Sequence, residues 1–254
     1  MTFYFLLKGI NWPPLKKDMV KIGNLFFRTR NFIFPIFYLF LFIPSSPIVI
    51  NYKMVAIIGI SITLLGQLIR MVTIGLVYVI RGGRKRRIYA EGLVTDGLFS
   101  HCRNPMYVGN ILMIIGLSIF SNSLLSVLIL IPLFIFIYQS IVIAEEDFLK
   151  SKFKDGYKDY CFKVNRWIPR IRGINKTFNE NEFKIKKIIY KEYNTTFVWT
   201  VGATLLLAYN NFKIKEDIQQ DLVYYYSTLI FLSCFYLTTR CFKKREQRNK
   251  TYKG

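Results

Sequence analysis

The sequence predicts an all-α, polytopic transmembrane helical bundle of about five to six spans, with amphipathic helices at the cytosolic face. Of the 254 residues, 52% are hydrophobic and 17% aromatic, and the mean hydropathy is +0.28. These apolar residues form runs of about the length that crosses a bilayer. Basic residues alternate with the runs, as in a multi-pass membrane protein. We place the spans at about 31–50, 54–80, 106–120, 123–144, 195–210 and 222–242.

The distribution of charge orients this bundle. With both termini in the cytoplasm, the inner segments hold 31 of the 36 Lys and Arg residues and the outer turns hold three, as the positive-inside rule requires. The net charge of +21 is then explained by topology and by attraction to anionic membrane lipids, so nucleic acid is not an expected partner. The inner segments are 1–30, 81–105, 145–194 and 243–254, and the outer lysines are Lys53, Lys213 and Lys215.

The sequence predicts neither a cleavable signal peptide nor a cysteine-based metal or disulfide site. The apolar start 1–7 is too short for a cleavable signal peptide and leads into a basic segment that contains Trp12, which we interpret as an interfacial lead-in on the inner face. The four cysteines lack C-x-x-C spacing, so we expect them to be reduced and expect no metal site.

Two features stand out in the first two spans. The aromatic-rich run 31–50 ends in the turn signal 44–47, and is either a short span or the first arm of a hairpin. Arg70 lies in the long run 54–80, where a charge is costly unless it faces a polar interior or extends to an interface. The basic run 81–87 follows without a G-x-G-x-x-G pattern, so a Rossmann-type dinucleotide loop is not predicted.

The stretch from Gly97 to Gly109 organises the chain. Asn104 followed by Pro105 indicates a helix start, in which the Asn side chain accepts from a backbone N–H of the first turn. The free N–H groups and the positive end of the helix dipole would favour an anionic group at the membrane boundary. The alternative interpretation is an ordinary capped membrane helix with an interfacial Arg and Tyr.

A second block follows the next span. The polar turn 121–123 predicts an antiparallel helical hairpin, which would bring Arg103 and Asn104 close to Glu145 and Glu146. We interpret the acidic pair as the end of a helix, where the dipole disfavours carboxylates, so a cationic ligand or ribose hydroxyls are expected partners. A solvated helix end is the alternative.

An amphipathic helix is predicted after the acidic pair. Its apolar residues recur every three or four positions, and Pro169 ends it. This spacing predicts a helix that continues from the membrane span and lies along the inner membrane surface. The apolar positions are Leu149, Phe153, Tyr157, Tyr160 and Val164.

Together the two blocks resemble a known superfamily. The pattern G-x-x-x-x-x-R-N-P-M-Y-x-G at 97–109, followed by E-E-x-x-L-x-x-x-F-x-x-x-Y-x-x-Y-x-x-x-V-x-R-x-x-P at 145–169, is similar to the isoprenylcysteine carboxyl methyltransferases and phospholipid methyltransferases. The resemblance spans 90–169. It implies an integral-membrane methyltransferase that binds S-adenosylmethionine at the cytosolic membrane face and modifies a lipophilic or lipid-linked acceptor.

The resemblance also assigns residues. Tyr160 and Arg166 match family positions that line the site. The expected catalytic residues are Arg103, Tyr107 and Arg166, and the expected cofactor-binding residues are Glu91, Gly92, Leu93, Val94, Phe99, Asn104, Pro105, Met106, Tyr107, Gly109, Glu145 and Glu146.

The chain departs from the family pattern at several positions. Asn104 replaces a common His and cannot act as a base near neutral pH. Phe99 replaces a common Tyr, and Lys154 stands where the family usually has Gly. The carboxyl-methylating enzymes use an arginine one helical turn before the first Glu, and here that turn is the apolar 141–144. A carboxylate acceptor would therefore need Arg70 or Arg166 in its place.

Other functions and the remaining residues are left open. A membrane NADPH-dependent reductase of the sterol reductase type is one alternative, although Met106 and Asn110 occupy its diagnostic H-P-N-Y-x-x-E positions. A non-catalytic protein with the same fold is another. His101 is more typical of local hydrogen bonding than of a catalytic base. We divide the chain into a core, 1–170, and an extension, 171–254. The extension contains two predicted spans, and its role is structural, dimerising or lipid-guiding. The oligomeric state is open.

Overall fold

The architecture was obtained as a computed structural model, which describes residues 13–77, 81–84, 87–214 and 219–251. Of the predicted interfacial lead-in 1–30, residues 1–12, with Trp12, lie outside the described residues, and the rest belongs to a long helix. Seven α-helices account for most of the described chain, joined by a short hairpin and short turns of 3₁₀- and π-helix. The helices are α1 (Pro13–Tyr38), α2 (Tyr52–Leu76), α3 (Pro105–Phe120), α4 (Ile131–Lys163), α5 (Ile174–Glu180), α6 (Ile185–Ile214) and α7 (Gln219–Thr251); the strands are β1 (Arg81–Arg84) and β2 (Arg87–Ala90).

Helix length and hydropathy confirm an integral-membrane bundle. Among the described residues, four helical segments are long and apolar enough to cross a membrane, and α3 is a shorter apolar helix. Large apolar side chains such as Phe32 and Phe231 are exposed on these segments, as expected of residues that contact lipid. The predicted span 195–210 lies in α6, which is not among the four. The four segments are Lys17–Phe42, Tyr52–Leu76, Ser126–Lys163 and Asp221–Asn249.

The first predicted span is misplaced. We expected it at 31–50, whereas α1 begins at Pro13, continues through Pro35 and passes into a 3₁₀ turn, Leu39–Phe42. Residues 43–51 are irregular. Basic side chains in the first half of α1 lower its hydropathy, so the hydropathy pattern did not predict this part of the helix. Apolar residues between them, such as the buried Phe27, face the bundle.

Helices α2 and α3 pack through glycines. A Cβ on Gly66 would lie 2.5 Å from the carbonyl oxygen of Gly109, and one on Gly109 would lie 2.7 Å from that of Gly66. Gly59 and Gly116 repeat the arrangement one heptad away, at 2.7 and 2.5 Å. The two backbones are therefore in direct contact, as in small-residue interfaces of membrane helices.

Helices α1 and α4 pack mainly through aromatic rings. Phe134 is 1% exposed, and its ring meets Phe34 edge-on at a centroid distance of 5.2 Å. Phe34 also meets Tyr138 at 5.7 Å. Edge-to-face pairs of this kind add to the stabilisation that comes from burying the rings.

One end of the bundle gathers the predicted outer turns. The polar turn 121–123 is confirmed, with Asn122 at φ 49°. Asn122 Oδ1 accepts from the backbone N–H of Ile48 and Val49, and the hydroxyls of Ser45 and Ser123 are 2.7 Å apart. The loop after α1 and the hairpin turn therefore lie at the same end, as the charge pattern predicts.

The opposite end carries the connector and the long helix α4. Strands β1 and β2 form an antiparallel hairpin within the predicted basic connector. Helix α4 continues past Glu145 and Glu146 to Lys163 and bends at Lys154, where φ is 43° and ψ is −114°. The acidic pair therefore lies inside a helix and not at its end, as we had interpreted it, whereas the prediction that the amphipathic helix continues from the membrane span is confirmed.

Candidate functional site

The two sequence blocks meet through Tyr107 and Glu145. Tyr107 lies in the first turn of α3, and its hydroxyl donates a 2.7 Å hydrogen bond to Oε1 of Glu145. Glu145 is only 4% exposed, so this bond replaces water that the carboxylate has lost. The predicted proximity of the motif turn and the acidic pair is confirmed by this contact.

Glu146 forms the charged centre of the cluster. Nε of Arg166 donates to both of its oxygens at 3.1 Å, and Nη2 donates to Oε2 at 2.6 Å. Nη1 of Arg103 lies 3.6 Å from Oε1, and the Asn104 amide donates to the same oxygen at 3.4 Å. Fork-shaped contacts to a carboxylate are among the strongest that arginine makes. Two cations and an amide thus share one buried carboxylate.

Asn104 occupies the predicted cap position but does not cap the helix with its side chain. Pro105 is in the first turn of α3, as predicted, and Asn104 makes no side-chain hydrogen bond to that turn. Its amide instead donates to Glu146 and, at 3.3 Å, to the carbonyl of Arg166. The expectation of a capping Asn is therefore wrong, because the carboxylate and a nearby carbonyl compete for the side chain.

A strap formed by residues 165–170 crosses the motif turn. The N–H of Arg103 donates to the carbonyl of Asn165 at 2.9 Å, and the N–H of Arg170 donates to that of His101 at 3.0 Å. The His101 ring is buried between the Arg170 carbonyl and the Thr177 hydroxyl, at 2.6 and 2.8 Å from its two nitrogens. Both ring nitrogens are engaged, so His101 holds the strap in place.

The aromatic stripe of the amphipathic helix packs beneath the turn. Leu149, Tyr157, Tyr160 and Val164 are buried, which confirms the predicted apolar face. The Tyr160 hydroxyl donates a 2.6 Å hydrogen bond to the carbonyl of Phe99. This contact fixes the 3₁₀ turn Gly97–Ser100 that leads into the motif.

Some predicted site residues stand apart. Glu91 and Gly92 are exposed, and among the described residues no hydrogen bond or ion pair joins Glu91 to Glu145 or Glu146. The Tyr89 hydroxyl donates to Oε1 of Glu91 at 3.5 Å. Leu93 and Val94 are half-buried, and Leu93 packs against the stripe. Met106 is half-buried, and Gly109 contacts α2.

The electrostatics of the cluster favour charged Arg103. Burial lowers the pKa of its guanidinium, but the Glu146 carboxylate, with smaller contributions from Cys161 and Tyr157, raises it, and the net pKa lies above its ordinary value. Arg103 Nη1 also donates to Cys161 Sγ at 2.6 Å. The cluster therefore keeps a fixed positive group beside its carboxylates.

Sequence reasoning missed the partner of Arg70. Arg70 is buried and pairs with Glu192 at 2.6 Å, so it faces a polar interior and does not extend to the interface. Glu192 follows the polar stretch 175–191, which is rich in Lys and Asn and is typical of a solvated helix. The sequence offered one indication of this pair. Glu192 lies three residues before a predicted span, and another predicted span contains Arg70 and Gln67.

Comparisons with known proteins decide the family. The family model described as phospholipid methyltransferase matches residues 54–156. The cobalt-zinc-cadmium resistance protein CzcN of Cupriavidus metallidurans is 31% identical over 165 residues, which are 64% of this chain and 67% of that protein. This chain belongs to the isoprenylcysteine carboxyl methyltransferase and phospholipid methyltransferase superfamily. The superfamily is one of membrane methyltransferases, and in this member the first block contacts the Glu145–Glu146 pair with which the second block begins.

Two further relatives match shorter parts of the chain. The nickel-cobalt-cadmium resistance protein NccN of Alcaligenes xylosoxydans xylosoxydans is 27% identical over 115 residues, covering 45% of this superfamily member and 52% of NccN. The protein-S-isoprenylcysteine O-methyltransferase of Schizosaccharomyces pombe is 33% identical over 79 residues, covering 31% and 34%. The chain thus spans two thirds of CzcN, about half of NccN and one third of the yeast enzyme. No solved structure matches it.

Proposed function

We propose that this chain transfers a methyl group from S-adenosylmethionine to a lipophilic or lipid-linked acceptor at the cytosolic membrane face. The observation that carries the proposal is the buried cluster in which Tyr107 contacts Glu145 while Arg103, Asn104 and Arg166 contact Glu146. Membership of a methyltransferase superfamily supports the reaction class.

The chemistry of the cluster suits this cofactor. Its amino-acid end carries an ammonium and a carboxylate, and its ribose carries hydroxyls. Glu145 and Glu146 are acceptors for ammonium or hydroxyl groups, whereas Arg103, Arg166 and the N–H groups at the start of α3 are donors for a carboxylate. Both kinds of group lie in one buried cluster, in which they now satisfy one another.

The work left to the protein is alignment and exclusion of water. S-adenosylmethionine supplies a methyl group activated by a sulfonium, which is displaced in line by the acceptor. Tyr107 and Asn104 are held on α3 and Glu145 on α4, so rigid helices fix the positions of the polar groups. Glu145, Glu146 and Asn104 are at most 8% exposed, so the cluster is shielded from water.

The acceptor is the least constrained part of the proposal. The turn 141–144 contains fully buried apolar residues, and Arg70 is held by Glu192, so neither supplies a free cation for a carboxylate. Arg166 is the remaining candidate, and it is engaged with Glu146. A phospholipid amine, a prenylated protein and a small lipophilic thiol, phenol or carboxylate are the acceptors to be compared.

The experiment begins with binding. Purified protein in detergent should bind S-adenosylmethionine in calorimetry, and Glu145→Ala should abolish binding while the protein stays folded. Asp155→Ala, on the same helix but at an exposed position, is the matched control and should bind as the wild type does. Equal binding by Glu145→Ala and the control would remove Glu145 from the site.

Methyl transfer is tested in membranes. Incubation with methyl-labelled cofactor should place label in a lipid, protein or small-molecule fraction, which identifies the acceptor class. Consumption of NADPH without methyl transfer would instead favour a reductase. Failure to bind any adenosyl cofactor would favour a non-catalytic member.

A further inference from the structure

A second buried polar network lies within the bundle. Arg70 on α2 donates from Nε to Oε2 of Glu192 at 2.9 Å and from Nη2 to Oε1 at 2.6 Å. Gln67 donates to the same Oε2 at 3.1 Å and accepts from the Trp199 indole at 3.1 Å. Glu192 is 2% exposed. Two charges persist at such a site only when they are paired and hydrogen-bonded, so this contact ties α6 firmly to α2.

The same arginine also reaches α3. Its Nη1 donates to the side-chain carbonyl of Asn110, and its aliphatic stem lies against Gly109, where a Cβ would meet Arg70 Cγ at 2.6 Å. Asn110 is three residues after Tyr107, so it lies about one helical turn further into the membrane on a similar face. Arg70 therefore contacts the helix segment that presents Tyr107.

Helix α4 closes the connection. The Tyr138 side chain lies beside the Asn110 amide, and its ring centroid is 5.5 Å from that of Tyr107. A continuous set of contacts thus runs from Glu192 through Arg70 and Asn110 to the residues that touch Glu145.

We propose that Glu192 is a positioning residue for the methyl-transfer site: it holds Arg70, which together with Asn110 fixes the start of α3. Glu192 lies outside the segment matched by the family model, so the extension beyond residue 171 belongs to the functional unit. The proposal rests on the proposed function only for its catalytic consequence. An ion pair of this kind fixes the relative placement of helices, because alternative packings leave a buried charge unpaired.

The first test is Glu192→Gln, which keeps the size of the side chain but removes the charge that compensates Arg70. We expect the dissociation constant of S-adenosylmethionine to rise about tenfold and kcat to fall, because a misplacement of about 1 Å caused far from the reacting atoms can cost up to about a hundredfold. Measurements are made well below the melting temperature. Glu182→Gln is the matched control, since Glu182 is exposed near the start of α6. Glu192→Asp, which keeps the charge, should recover most of the affinity.

A double-mutant cycle shows whether Glu192 acts through α3. In an Asn110→Ala background, Glu192→Gln should change the dissociation constant by less than about twofold, because the connection is already broken. If the two substitutions only destabilised the fold in general, their separate effects on the dissociation constant would multiply in the double variant. That result would overturn the proposal.

Cys161 gives a readout that needs no cofactor. Its thiol accepts from Arg103, which directly precedes α3, and Cys102 is buried. With exposed Cys234 and Cys241 replaced by serine, Glu192→Gln should speed maleimide labelling of Cys161 severalfold, and Glu182→Gln should not. A labelling change without cofactor binding by the wild type would reject the proposed function and keep the positioning role. Unchanged labelling and unchanged binding would reject the positioning role alone.

Discussion

The Tyr107 hydroxyl donates to Oε1 of Glu145 at 2.7 Å, across 38 residues of sequence and between two helices that form a hairpin. This bond joins the two blocks that characterise the superfamily. Neither block has the full set of polar groups until the hairpin closes. The cluster is therefore a product of the tertiary fold and not of either segment alone.

Removal of the Tyr107 hydroxyl should lower the stability of the fold. Tyr107→Phe removes this donor from the buried carboxylate of Glu145, and we expect the free energy of unfolding to fall by about 2 kcal/mol. Denaturant unfolding in detergent measures this, with Tyr226→Phe, at an exposed position on α7, as the control. Equal stability of the two variants would show that the bond contributes nothing.

The contact between Arg166 and Glu146 depends on its fork geometry. Arg166→Lys keeps the charge but loses the paired hydrogen bonds, and should lower the free energy of unfolding by about 1–2 kcal/mol. It should also weaken binding of S-adenosylmethionine. Arg172→Lys, at an exposed position a few residues away, should have no effect. A lysine variant that matched the wild type in both measurements would contradict the role of the fork.

Lys154 occupies a backbone conformation that suits glycine. With φ at 43° and ψ at −114°, the lysine backbone is strained, and the superfamily usually has Gly here. Lys154→Gly should raise the free energy of unfolding by about 1 kcal/mol, because relief of strain exceeds the entropic cost of glycine. Thermal unfolding should show a higher melting temperature. Lys158→Gly, within a regular turn of the same helix, should lower it; a loss at both sites would disprove strain at Lys154.

Gly66 has no room for a side chain. Gly66→Ala places a methyl group 2.5 Å from the Gly109 carbonyl oxygen, so α2 and α3 must separate. We expect a loss of about 1–3 kcal/mol in the free energy of unfolding. Gly202→Ala, where a Cβ meets nothing within 4 Å, should be neutral or stabilising. A tolerated alanine at Gly66 would mean that the helices are further apart than described.

Orientation in the membrane is a separate prediction. Ser46→Cys marks the end that gathers the predicted outer turns, and Asp155→Cys marks the end with the candidate site. In a background with Cys234 and Cys241 replaced by serine, a membrane-impermeant thiol reagent added to intact cells should label only Ser46→Cys. Labelling of Asp155→Cys alone would invert the proposed topology.

Local sequence signals were enough for the hairpin and the cluster. The turn at 121–123 and the two motif blocks fix which helix ends meet, so the proximity of Asn104 to Glu146 could be predicted. The direction of the Asn104 side chain could not, since a backbone N–H and a carboxylate compete for it. Only the folded geometry decides between them.

Pairing between residues that are remote in the sequence was the main obstacle to predicting the structure from the sequence. Glu192 lies in a sequence rich in Lys and Asn, where a carboxylate usually faces water, and its partner Arg70 is 122 residues away. Helix α1 was misplaced for a related reason, since its basic residues lower the local hydropathy. Both errors arise because burial of a polar side chain is decided by neighbours that are remote in the sequence.

Under the proposed function, the glycine contacts between α2 and α3 would restrict how a lipid-linked acceptor reaches the cluster. Two backbones in direct contact leave no gap through which an acyl or prenyl chain could slide in from the bilayer. The hydrophobic tail of such an acceptor would therefore enter on a flank of α3 other than the one closed by Gly59 and Gly66. Close packing of glycines would then limit the route of entry as much as the bulky side chains do.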